Sequence, residues 1–134
     1  MSMRAIARRD GRGLKHTIEV GNHRLTVDEA KDLGGTHQGP NPQEMLAASL
    51  ASCSAITMEM YAERKGWDIG EVSVSVDYEP AQRGSPTKFA MSIGFPKELS
   101  EDQREKLMQI VAKCPVHRTL EGEVMFDETV EELS

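Results

Sequence analysis

Two cysteines, Cys53 and Cys114, are the residues of this 134-residue chain whose chemistry stands out. No CxxC pair and no Cys/His cluster accompanies them, so neither zinc nor any other metal is expected. A free cysteine is often only a small buried hydrophobe. It reacts where its surroundings favour the thiolate. A thiol pair can also cycle: one sulfur is oxidised to a sulfenic acid and the other condenses with it to a disulfide. Cys53 falls near the middle of a long apolar helix, too far from its start for the helix dipole to act. Burial there raises a thiol pKa, so a cation must reach Cys53 if it is to react. Cys114 is expected at the end of a second helix, where the dipole disfavours an anion. The expected division of labour is Cys53 as attacking thiol and Cys114 as resolving thiol. His117 follows Cys114 closely, but Pro115 lies between them. It is read as a polar residue entering the last strand rather than as a thiol's base.

The elements that must position these thiols are legible as an α+β order, β-β-β-α-β-β-α-β, in a single domain over 1–134. Residues 3–9 and 13–20 read as strands joined at Asp10-Gly11-Arg12. Gly21-Asn22 is a tight-hairpin signal before a third strand over 23–28. The stretch from Asp32 to Pro40 carries three glycines and no periodicity, so it is a loop. Asn41, Pro42 and Glu44 form a capping-box signature. The helix they start is expected to run to Lys65, with Gly66 as its stop. That is about 24 residues, roughly 36 Å at 1.5 Å per residue. From Met45 to Met60 its side chains are nearly all apolar or small, the pattern of a helix buried on all sides. A chain of this size cannot cover such a helix alone, so a second subunit is expected against it.

Val72, Val74, Val76 and Tyr78 alternate along one strand, and Phe89, Met91, Ile93 and Phe95 along the next, with Gln82 to Pro86 as their loop. Ser100 and Gln103 form a second capping box. The helix they open is expected to carry Leu107, Ile110, Val111 and Cys114 inward and to end at Pro115. Leu120, Gly122, Val124 and Phe126 alternate in a final strand over 119–127.

Composition excludes several functions. The net charge of −6 gives no basic face for nucleic acid. The cluster Arg4, Arg8, Arg9 and Arg12 reads as a solvated hairpin edge. No run approaches the ~18 apolar residues of a membrane span, and the charged start is not read as a secretory signal. A cytoplasmic, reducing location is expected.

Two blocks carry a resemblance. Gly34-Gly35, followed by the run from Gly39-Pro40-Asn41-Pro42-Gln43-Glu44 to Ser52-Cys53, resembles the signature helix of the OsmC/Ohr family. Cys114-Pro115-Val116-His117 resembles that family's second block. Both occur in order, and the element order matches over essentially the whole chain. The resemblance implies an intertwined homodimer around long central helices, with active sites at the interface. It implies thiol-dependent reduction of organic or inorganic hydroperoxides without a cofactor. A lipoylated protein or another dithiol would serve as reductant.

It also implies an arginine in the first hairpin that activates Cys53. Arg9 is the nearest match, with Arg12 and Arg24 as rivals. In the peroxidase branches the acid that orients this arginine occupies the slot held here by Gln43. This chain has its acid one place later, at Glu44. Gln43 lies about 80° around the helix from Cys53 and Glu44 about 180°, so Glu44 reads as the capping acid. His37 and Met45 are candidates for lining the pocket. The displaced acid keeps two alternatives open: a non-peroxidase dimer binding a small apolar ligand, and a thiol redox sensor.

Overall fold

The computed structural model describes residues 3–96 and 98–133. Its elements are β1 (Ala5–Arg9), β2 (His16–Val20), β3 (His23–Val27), a short 3-10 turn (Lys31–Leu33), α1 (Pro42–Lys65), β4 (Ser73–Glu79), β5 (Lys88–Gly94), α2 (Glu101–Val111) and α3 (Pro115–Glu121). Chain contacts fall into two compact units, 1–49 with 76–90 and 50–75 with 91–134.

In the first unit β1, β2 and β3 form an antiparallel meander in which β2 is central. Arg9 pairs with His16, and Val20 with His23 across the Gly21-Asn22 turn. The loop after β3 is drawn in around Asp28, a buried carboxylate. Its Oδ2 accepts from the Thr36 hydroxyl (2.6 Å) and the Gln38 N–H (3.1 Å), and its Oδ1 from the Glu29 N–H (2.7 Å). These bonds hold its carboxyl down at about 2. The loop needs its glycines for close approach: a Cβ on Gly35 would run into the Glu29 carbonyl, and one on Gly39 into the Thr26 carbonyl.

The loop ends at the start of α1. Glu44 N–H donates to Asn41 Oδ1 (2.8 Å) and Asn41 N–H to Glu44 Oε1 (2.9 Å), a reciprocal capping box. At the other end Trp67 N–H reaches the Ala62 carbonyl (2.9 Å) and Gly66 N–H that of Glu63 (3.1 Å), a Schellman stop.

In the second unit α1 buries one row, Leu50, Ser54, Met58 and Ala62, spaced one turn apart. Met58 and Ala62 join Ile69, Leu99, Leu107 and Val111 in the core, with Trp67, Val74, Met91 and Ile93 packed around it. β4 pairs with β5; half-buried and exposed residues alternate along β4 with the expected period of two, and along β5 except at Ala90, which is half-buried like its neighbours. The Ser100–Gln103 box opens α2 as expected.

The chain alone does not cover α1, as its size implied: the row that meets the second unit's core is buried, while Ile56 (53 %) and Met60 (56 %) stand open. Two expectations need correction. First, α2 ends at Val111, and Pro115 starts a helix instead of breaking one. Proline has no N–H to lose and a preset φ, so it suits the first helical position. Cys114 is therefore the N-cap of α3, with its sulfur accepting the His117 N–H (3.5 Å). Second, the strand over 119–127 does not form. Its first residues belong to α3, which runs to Glu121, and residues 123–133 have no regular secondary structure and are exposed. An isolated strand has no ladder partner to satisfy its backbone, and among the described residues none pairs with this one.

Candidate functional site: a thiol pair

Cys53 sits on α1 and Cys114 at the junction of α2 and α3, both within the second unit. Both are free thiols; Cys53 is half-buried and Cys114 fully buried. The fold brings them close enough for Cys114 to act on the Cys53 proton. Burial pushes the Cys53 thiol pKa up, and the hydrogen bond with the Cys114 sulfur pushes it further, because it favours the protonated form of Cys53. Two donors act the other way, the Val116 N–H and the Thr57 hydroxyl.

This arrangement changes the physical basis of the expected roles. A helix C-terminus no longer counts against Cys114, since its sulfur accepts an N–H at a helix start. What separates the two thiols is access. A reagent from solvent meets half-buried Cys53, whereas Cys114 has no exposed surface.

The other candidates are placed as follows. Arg9 is exposed in β1; its guanidinium donates to the Gly13 carbonyl (2.9 Å) and to that of Arg12, within its own turn. Arg12 and Arg24 are also exposed. Glu44 is occupied by the capping box, as its angular position required, and Gln43 beside it is exposed in the first turn of α1. Met45 is half-buried one turn into the same helix. His37 is exposed, has a left-handed backbone (φ 52°), and donates its N–H to the Glu29 carbonyl (3.0 Å). These residues belong to the first unit. His117 donates its N–H to Cys114, while its imidazole pairs with Glu121 one turn on. Its contact with the Cys114 sulfur is made by the backbone N–H and not by the imidazole. Among the described residues no cluster of His, Cys, Asp and Glu could hold a metal ion.

Two features of the site were not anticipated. Val116 could not be, because its amide faces Cys53 only when residues 115–121 are helical. Thr57 could: it follows Cys53 by four residues on a helix, the spacing that stacks side chains on one face.

Comparison with known proteins agrees with this architecture. Residues 35–129 match the family model described as OsmC-like protein. An uncharacterized protein of Haloferax volcanii is 26% identical over 120 residues, covering 88% of this chain and 87% of that one. The OsmC-like protein of Mycoplasma pneumoniae superposes with a TM-score of 0.69 at 22% identity, covering 90% of this chain and 86% of that one. The organic hydroperoxide resistance protein OsmC of Legionella pneumophila does so with a TM-score of 0.65 at 22% identity, covering 91% and 90%. At such identities the structural likeness speaks for the fold. The family match spans well over half of the sequence and takes in both cysteines, and the chain belongs to the family of OsmC-like proteins.

Proposed function

We propose that this protein is a thiol-dependent hydroperoxide reductase working as a homodimer in the cytosol. The observation that carries the reading is a pair of interacting free thiols of unequal exposure, Cys53 half-buried and Cys114 fully buried. The Cys53 thiolate attacks one oxygen of an organic or inorganic hydroperoxide. The O–O bond breaks, the alkoxide leaves and takes up a proton as alcohol or water, and Cys53 is left as a sulfenic acid. Cys114 sulfur then attacks the sulfenic sulfur, closing an S–S bond and releasing water. A dithiol reductant, such as a lipoylated protein, returns two electrons and restores both thiols.

Arg9 is assigned to stabilise the thiolate, with Arg12 and Arg24 as alternatives, because a guanidinium keeps its charge at any working pH. Gln43, His37 and Met45 are assigned to the substrate pocket. Family membership and the fold of hydroperoxide resistance proteins support the redox assignment. Free thiols fit a reducing compartment, and among the described residues no helix is long and apolar enough to cross a membrane.

The test is intact mass and thiol count after one equivalent of cumene hydroperoxide. The expected result is rapid loss of both thiols with a fall of about two mass units. Unchanged thiols would overturn the reading. One observation favours a second reading, a dimer that binds a small apolar ligand: the acid near the start of α1 is tied into the helix cap. Unchanged thiols together with an apolar molecule retained through purification would support it.

A further inference from the structure

Thr57 lies one helical turn beyond Cys53 and is half-buried with it. Its Oγ1 donates to the Cys53 carbonyl oxygen at 2.7 Å, and the four-residue spacing puts the hydroxyl on the face of α1 that carries the Cys53 side chain. In a helix a threonine that bonds back to the carbonyl four residues earlier has its χ1 fixed by that bond. The oxygen is thus held on the face of α1 that carries Cys53, and rotation of its O–H lets it change acceptor. Turning away does not orphan the carbonyl, since the helix ladder supplies it with the Thr57 N–H. A thiolate is the stronger acceptor of the two, because hydrogen bonds to ionised groups are shorter and stronger than neutral ones.

We propose that Thr57 is a positioning residue for Cys53, its hydroxyl proton resting on the Cys53 carbonyl while the sulfur is a thiol and turning to the sulfur when the thiolate forms. The Val116 N–H also favours the thiolate, and Thr57 adds the switchable donor. The inference rests on the reading of Cys53 as the attacking thiol. It adds a thiolate donor inside the Cys53 helix, independent of any arginine.

The test is the pH profile of iodoacetamide alkylation of the reduced full chain, with modification at Cys53 followed by peptide mass. Wild type is compared with Thr57→Val, Thr57→Ala and Thr57→Ser. Loss of the hydroxyl in either the valine or the alanine variant is expected to move the Cys53 midpoint up by about one pH unit, a tenfold loss of thiolate below the midpoint. Serine keeps the hydroxyl and should restore the wild-type midpoint. Coincident profiles for wild type, valine and alanine would overturn the proposal, and so would a serine variant displaced as far as valine. Alkylation needs no peroxide. A displaced profile in a protein inert to cumene hydroperoxide would therefore defeat the peroxidase reading and leave Thr57 its role. An active protein with an undisplaced profile would do the reverse.

Discussion

At the residue scale, chemistry at Cys53 is a contest between groups that hold its proton and groups that release it. Burial and the Cys114 sulfur hold it; the Val116 amide and the Thr57 hydroxyl favour its departure. The balance lies above the ordinary thiol range, so the thiolate is the minor form at neutral pH and reactivity should climb with alkaline pH. The stability consequence has the matching sign. A raised folded pKa stabilises the fold below the unfolded thiol's pKa, and that contribution disappears as pH rises through the folded value. The two cysteines are separable by substitution. Cys53→Ser should reduce hydroperoxide consumption to the uncatalysed rate. In Cys114→Ser the serine oxygen can still accept the His117 N–H and cap α3, so the fold should persist while the resolving thiol is gone. One equivalent of hydroperoxide should then add about 16 mass units at Cys53 and leave it trappable by dimedone. If the two variants exchange these behaviours, Cys114 is the attacking thiol despite its burial.

At the scale of elements, Asp28 governs the loop that delivers the chain to the start of α1. Its N–H donates to the Pro40 carbonyl (3.1 Å) while its carboxylate gathers Glu29, Thr36 and Gln38. A carboxylate held at about 2, against an ordinary 3.8, stabilises the fold at neutral pH and loses that contribution as pH falls through this interval. Asp28→Asn turns an amide NH2 toward backbone donors. It should lower the thermal midpoint at pH 7 and flatten the acid limb of stability between about 4 and 2. A melt series whose acid limb is unchanged would contradict the assignment.

No spacing in the sequence announces this hub, because its partners come together only when the glycine-rich loop folds back. Elements whose causes are local were legible: the Asn41–Glu44 box, the Gly66 stop, the Gly21-Asn22 turn and the alternation in β4 and β5. The third helix was not. Cysteine is outside the usual capping set, so Cys114-Pro115 read as an end rather than a beginning. The alternation from Leu120 to Phe126 straddles the end of α3 and imitates a strand. The thiol pair was legible as two residues, but the hydrogen bonds around it depend on that unforeseen helix.

At the scale of the whole molecule, what the chain leaves uncovered is as informative as its core. Ile56 and Met60 stand open on α1, and beyond α3 so do Val124, Met125, Phe126 and Val130. Scattered exposed apolar residues are ordinary, and Met3, Leu33 and Met108 are others, but those after α3 form the most continuous run. Among the described residues the segment after α3 pairs with no strand, and an edge strand of another copy could pair with it. Under the homodimer reading both features are interface, and sedimentation should find a dimer at micromolar concentration. In a two-fold dimer a substitution at the interface is made twice. Burying an isoleucine or phenylalanine stabilises by roughly 1.5–3 kcal/mol. Ile56→Glu or Phe126→Asp should therefore cost about 3–6 kcal/mol per dimer and weaken association by roughly two to four orders of magnitude. Cys53 and Cys114 lie within one unit of one chain. A monomeric Phe126→Asp protein that keeps its fold should thus still form its disulfide with peroxide, unless the activating arginine comes from the partner copy. Retained disulfide formation with slowed Cys53 oxidation would assign that cation to the second subunit. An undiminished rate would place it within the same chain, and a wild-type monomer would remove the dimer from the mechanism.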